Sequence, residues 1–328
     1  MASLVQKVTR VVLRLVAAQS PEKAGELAFW LFTRTRSTKP QSEKERKALA
    51  LAKARMAESE TLRLVIPGSV VATHLFRPAQ SVAGGQKVLL VHGYRSRSDH
   101  MVALADALVA AGHTVVCLDL PGHGASTGRT LHLGKSVEAI DAAWRQHGPF
   151  DVFVGHSFGG PSVMAAAAGS ILHVPQRRPD RIVTIAAPSN LADVFRWVGK
   201  MMGLGAAAQN AFERQVLRFS GRPLSEFRVD RMMHDVCIRT LVIHAEDDKE
   251  VAFSNAEAIA RTGPNVRLLK ANGFGHRRIV SAEPVTQAVV EFLGEEVKAA
   301  EIVGLPLPCS KEPNKLAATE NGRPRRLA

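Results

Sequence analysis

The segment Gly155-His156-Ser157-Phe158-Gly159 sets a serine between two glycines, directly after the apolar run Asp151 to Val154 and ahead of an alanine-rich stretch. A strand that turns sharply into a helix at a serine holds the hydroxyl at the tip of a strained turn. Small residues two before and two after it are then needed to let strand and helix approach. A serine hydroxyl becomes a nucleophile only when a neighbouring base takes its proton, and that base needs an acid to fix its tautomer. Two later loops offer such groups. The run Leu241 to His244 leads into Ala245-Glu246-Asp247-Asp248-Lys249-Glu250-Val251, and the run Val266 to Leu269 leads into Asn272-Gly273-Phe274-Gly275-His276. Of the twelve histidines, His276 follows the last apolar run, in a Gly-x-Gly-His loop. The acid is one of three contiguous carboxylates, Glu246, Asp247 or Asp248, with Asp193 a more distant candidate.

These loops must sit at strand ends, because ligands in open parallel sheets bind at the carboxyl ends of the strands. The pattern supplies such strands. Leu62 to Ile66 and Val70 to Phe76, separated by Pro67-Gly68, read as a hairpin, and six apolar runs follow at 87–91, 115–119, 151–155, 182–186, 240–244 and 266–269. Fully apolar strands alternating with helical patterns imply a parallel sheet covered on both faces. The long interruption at 188–236, rich in Met and Phe, reads as an inserted cap whose stripe Phe195, Trp197, Met201, Met202, Phe212, Val216 and Phe219 either packs the cap or receives an apolar chain.

Residues 62–298 resemble an α/β-hydrolase with a cap inserted before its acid-bearing strand, and the chain order Ser157, Asp248, His276 is the order of that fold. The resemblance implies an eight-stranded, mostly parallel sheet with helices on both faces. The family spacing small-x-x-Asp-x-x-Val falls on Ala245 to Val251 and selects Asp248, with alanine standing where many relatives have glycine. His92-Gly93-Tyr94 resembles the family's oxyanion loop, which implies that the amides of Tyr94 and Phe158 hold the oxyanion. Asp119-Leu120-Pro121-Gly122-His123-Gly124-Ala125-Ser126 resembles the D-x-P-G-H-G-x-S segment of the monoacylglycerol lipase and serine aminopeptidase-like branch. The activity implied is cleavage of a carboxylic ester through an acyl-enzyme, on a substrate with an apolar acyl or aryl group and with no cofactor. A serine nucleophile sets aside the branches that use aspartate, the dehalogenases and epoxide hydrolases. Thioesterase, peptidase, transacylase and cofactor-free haloperoxidase chemistry stay open, as does a non-catalytic membrane-surface protein. His92, His123 and His156 fit no metal-ligand spacing, so no metal is expected.

At 328 residues, 46% of them hydrophobic, the chain can bury a substantial core, which excludes a fibrous or wholly disordered protein. The formal net charge of +13 divides as +6 in residues 1–60, +5 in 61–298 and +2 in 299–328. A charge gathered at the N-terminus argues against a basic domain built around nucleic acid. The three cysteines lack metal or disulfide spacing and fit a reducing compartment. Residues 1–60 read as a helical extension: a stripe from Leu4 to Val16 interleaved with Lys7, Arg10 and Arg14, a second helix opened by Ser20-Pro21, and a third over about 42–58. The first two, residues 1–33, have the composition of an interfacial segment, so the stripe belongs either to a membrane surface or to the chain's own domain or a second copy. The location expected is cytoplasmic, with or without peripheral attachment to the inner membrane surface. The proline-bearing tail, 299–328, has no periodicity and is expected to be disordered.

Overall fold

The computed structural model describes residues 4–35, 40, 42–80, 82–234 and 236–295. The tail expected to be disordered lies outside the described residues. Strands β1 (Glu60–Ile66), β2 (Ser69–Phe76), β3 (Lys87–Val91), β4 (Thr114–Leu118), β5 (Val152–His156), β6 (Arg181–Ile185), β7 (Arg239–His244) and β8 (Val266–Lys270) form one eight-stranded sheet in the order β1-β2-β4-β3-β5-β6-β7-β8. β1 pairs antiparallel with β2 and β2 with β4, and all other pairs are parallel. This is the α/β-hydrolase fold, as the family resemblance implied.

The apolar runs are continuous because both faces of the sheet are covered. Val88, Leu90, Val115, Cys117, Val152 and Val154 point to one face and pack with helices α4 (Val102–Ala110) and α12 (Glu283–Gly294). The alternate residues Leu89, Val91, Val116, Leu118 and Phe153 point to the other, where α5 (Leu133–His147), α6 (Gly159–Ala168) and α10 (Ser254–Ala260) contribute to the core. The segment between β6 and β7 carries α7 (Leu191–Met202), α8 (Ala206–Ser220) and α9 (Val229–His234). A short α11 (Gly275–Arg278) follows β8.

The N-terminal residues form α1 (Leu4–Gln19), α2 (Pro21–Thr33) and α3 (Glu43–Ala57). Ser20 caps α2, its hydroxyl accepting from the Lys23 amide at 3.3 Å, with Pro21 opening the first turn. α2 is built into the cap. Phe29 stacks on Phe219 with centroids 5.8 Å apart, and Phe32 meets Phe195 and Phe212 edge-on at 5.3 and 5.8 Å. Glu22 and Glu26, one turn apart, pair with Arg214 and Arg218, one turn apart on α8. Most of the cap's aromatic stripe is therefore spent on packing: Phe195, Phe212 and Val216 are buried in the same cluster as Leu13 and Ala28. Trp197, by contrast, is exposed.

The two helices touch most closely at Gly25, where a Cβ would lie 2.5 Å from the Ala211 Cβ and from the Phe212 backbone nitrogen. In an exposed helix interior, Gly→Ala stabilises by roughly 0.5–1 kcal/mol. Here the sign should reverse, because the new methyl meets backbone: Gly25→Ala should destabilise by about 1–3 kcal/mol, the usual cost of overpacking. Urea denaturation measures this, and a stabilised variant would mean that α2 and α8 do not approach as described.

Candidate active site

Ser157 follows β5 and precedes α6 with φ at +52°, a left-handed conformation that a non-glycine residue adopts only when its surroundings impose it. Backbone pairing continues through the turn, the Ser157 amide donating to the Ile185 carbonyl at 2.8 Å and the Gly160 amide to the Ser157 carbonyl at 2.9 Å. Gly155 is required by close approach: a Cβ there would stand 2.4 Å from the Gly159 carbonyl oxygen. The turn thus lifts the hydroxyl above the sheet's carboxyl edge.

Loops after β7 and β8 bring the two other predicted residues to it. Ser157 Oγ lies 2.9 Å from His276 Nε2, and His276 Nδ1 lies 2.8 Å from Asp248 Oδ2. A carboxylate only accepts, so Nδ1 carries the proton and donates to Asp248, leaving Nε2 to accept from the serine hydroxyl. His276 and Asp248 are buried, while Ser157 is partly accessible. The other oxygen of Asp248 accepts from the amides of Glu250 and Val251 at 2.8 and 2.9 Å. Burial alone would raise the Asp248 pKa. It is outweighed by hydrogen bonds from His244 and His276 and from those two amides, which hold the carboxyl well below the usual carboxylate range.

The neighbouring carboxylates do other things. Asp247 accepts from the Gly273 amide at 2.9 Å and so braces the His276 loop, and Glu246 binds Lys270 and Asn272. Asp193 lies on α7, paired with Arg196 and Asn190. Geometry thus separates Asp248 from its three competitors.

Gly93 places the His92-Gly93-Tyr94 loop against the serine: a Cβ on Gly93 would be 2.7 Å from the Ser157 Cβ and 3.2 Å from its Oγ. Any side chain there would fill the space over the hydroxyl. The Tyr94 ring turns away to meet His123 edge-on at 5.6 Å, and its hydroxyl donates to the Arg34 carbonyl at 3.1 Å. Phe158 stands at the N-cap position of α6, makes no side-chain capping hydrogen bond and is partly buried.

The segment 119–126 acts as the frame of this loop. Asp119 accepts from the Ser98 amide at 2.8 Å through one oxygen and from the Ala125 amide at 2.7 Å through the other. His92 Nε2 accepts from the Leu120 amide at 3.0 Å, so its proton sits on Nδ1, which donates to the Gly93 carbonyl at 2.7 Å. His123 follows the same logic: Nε2 accepts from the Arg95 amide and Nδ1 donates to the Pro121 carbonyl, both at 3.0 Å. Each of these two histidines works in one neutral tautomer.

Two further histidines touch the predicted trio, a contact that nothing in the sequence assigned to them. His156 Nε2 donates to the His276 carbonyl at 2.9 Å. His244, the last residue of β7, lies with Nε2 3.3 Å from Asp248 Oδ2 and 2.9 Å from the Val251 carbonyl. Strand-end position put His244 within view; only the three-dimensional return of the 245–251 loop shows its contact.

The fold and this arrangement of side chains define an α/β-hydrolase-type site with a serine at the turn after β5. Residues 88–296 match the alpha/beta hydrolase family, and the chain belongs to it. A curated relative, the dihydrolipoyllysine-residue acetyltransferase component of the acetoin cleaving system of Pseudomonas putida, is 25% identical over 248 residues. The match covers 64% of this chain and 64% of that protein, so the chain spans under two thirds of the length of the relative. Among solved structures, Est1E from Butyrivibrio proteoclasticus superposes with a TM-score of 0.56 at 21% identity, covering 72% of this chain and 98% of that one. The esterase domain of a Rhodothermus marinus protein gives 0.51 at 22% identity, with 72% and 96% covered. At these identities the likeness is one of fold.

Burial lowers the pKa of His92 to about 3 and of His132 and His156 to about 4. In the unfolded chain these imidazoles take up protons near 6.5, whereas the folded chain holds them neutral, so the unfolded state binds more protons as pH falls below that value. Stability is complete above about pH 6.5 and declines through the window from 6.5 toward 4, each group contributing up to about 1.4 kcal/mol per pH unit. Urea denaturation at pH 7.5 and at pH 5, on the two sides of the ~6.5 unfolded value, should show this loss. Equal stability at both would contradict it.

Proposed function

We propose that the protein is a serine hydrolase that cleaves carboxylic esters through an acyl-enzyme. The observation that carries this reading is the continuous hydrogen-bonded chain from Asp248 through His276 to Ser157, with steps of 2.8 and 2.9 Å. Ser157 Oγ attacks the ester carbonyl as His276 Nε2 takes the hydroxyl proton, and Asp248 stabilises the imidazolium that results. The amides of Tyr94 and Phe158 donate to the tetrahedral oxyanion. Collapse expels the alcohol with the proton held by His276, and water then attacks the acyl-enzyme with His276 as base. A complete trio beside an oxyanion-type loop argues against a purely scaffolding protein.

The substrate reading is an ester with an apolar acyl or aryl group. Phe195, Phe212 and Val216 no longer speak for it, since α2 covers them. Support comes from the partly buried Phe158, the apolar residue directly after the nucleophile. Acyl transfer to an acceptor other than water is a second reading, favoured by the curated relative, whose name is that of an acetyltransferase component.

Asp248→Asn should lower kcat/KM for a chromogenic ester by several orders of magnitude, about 10⁴-fold where the acid sets the histidine tautomer. Asp247→Asn should cost far less, because Asp247 accepts from the Gly273 amide and it is Asp248 that meets His276. The reverse ranking would overturn the assignment of the acid. Across a chain-length panel, kcat/KM should rise from acetyl to medium-chain esters, by up to about 0.8 kcal/mol per buried methylene until the pocket is full. A strict preference for acetyl or aminoacyl groups would refute the apolar-acyl reading.

A further inference from the structure

α1 presents two unlike faces. Leu13 is 1% exposed and enters the core, and Arg10 Nε donates to the Met201 carbonyl on α7 at 2.8 Å. On the opposite side Val8, Val11, Val12 and Leu15 are 54, 56, 42 and 66% exposed. Their spacing of three and four residues puts all four on one stripe, which no described element covers. Leaving such a stripe in water is unfavourable, and among the described residues nothing relieves it.

We propose that α1 docks in the plane of an anionic lipid surface through Val8, Val11, Val12 and Leu15. Charge selects this occupant. The helix holds Lys7, Arg10 and Arg14 and no carboxylate, and Lys7 and Arg14 are exposed beside the stripe. The nearest acids on α2, Glu22 and Glu26, are already paired with Arg214 and Arg218, so they do not neutralise it. A second copy meeting the same patch about a twofold axis would set Lys7 and Arg14 of one helix against those of the other, with no acid on either helix to answer them. Four side chains are also few for an interface that must exceed roughly 1,000 Å² to hold. Phosphate headgroups supply the missing negative charge, and the acyl region takes the apolar stripe. The helix lies on the surface rather than crossing it, since among the described residues no helix is long and apolar enough to span a bilayer.

The docking helix is joined to the site. α1 leads through Ser20 into α2, α2 is packed on the cap, and the carbonyl of Arg34 just after it accepts from the Tyr94 hydroxyl at 3.1 Å. A lipid-held α1 therefore belongs to the same packed unit as the loop beside Ser157.

The test uses the full chain and co-sedimentation with phosphatidylcholine vesicles, with and without phosphatidylglycerol. The intact protein should pellet with the anionic vesicles and be released by salt. Val11→Glu/Leu15→Glu should bind roughly 10- to 100-fold more weakly, and Lys7→Gln/Arg14→Gln should lose the dependence on phosphatidylglycerol. Both pairs should hydrolyse a soluble ester at the unaltered rate, and Val11→Ser/Leu15→Ser serves where the glutamates disturb folding. Failure of the intact protein to pellet would overturn the proposal, as would undiminished binding by the stripe variants. So would sedimentation velocity showing a dimer in solution that the stripe substitutions convert to monomer.

Discussion

A non-glycine residue held at φ +52° is the constraint from which the rest of the site follows. The chain can turn there only if β5 and α6 nearly touch, which limits the residues two before and two after Ser157 to glycine. The turn depends on a rigid sheet on one side and a buried helix on the other, and it has both: every residue of β5 and of α6 through Ala167 is buried. Once the hydroxyl stands above the carboxyl edge of the sheet, loops leaving β7 and β8 bring a carboxylate and an imidazole into line with it. The order of strands puts them on the correct side.

Around the serine the protein builds with neutral histidines. His92 and His123 each accept an amide through Nε2 and donate to a carbonyl through Nδ1, which locks the 92–98 loop to the 119–126 segment. His156 holds the backbone of His276. An imidazole suits these places because one ring offers a donor and an acceptor at fixed separation, whereas an amide or hydroxyl would have to rotate to serve both. Burial keeps the rings uncharged, and Asp119 and Asp248 remain as buried carboxylates answered by amides and imidazoles.

Much of this was legible in the sequence because strands announce themselves as apolar runs and chemistry sits immediately after them. β3 matches its predicted run residue for residue, and β4 to β8 differ from theirs by about a residue at their ends, where ladder pairing rather than hydrophobicity sets the limit. His276 and Asp248 lie in such loops. What could not be read is whatever depends on distant partners. The cap stripe looked equally like core or pocket, because α2, which covers it, precedes it by some 180 positions. The contacts of His244 and His156 have no periodic or spacing signal among twelve histidines. Residues 1–33, read together as one interfacial segment, divide in the fold: α2 turns inward, and α1 keeps one side outward.

The central claim is that Ser157 is an activated nucleophile, and covalent labelling reads this directly. Intact-mass spectrometry after treatment with a fluorophosphonate should show a single adduct, mapped by peptide sequencing to Ser157, with labelling slowed strongly by His276→Ala and abolished by Ser157→Ala. A folded protein that takes up no label, or one labelled equally well after Ser157→Ala, would contradict the account.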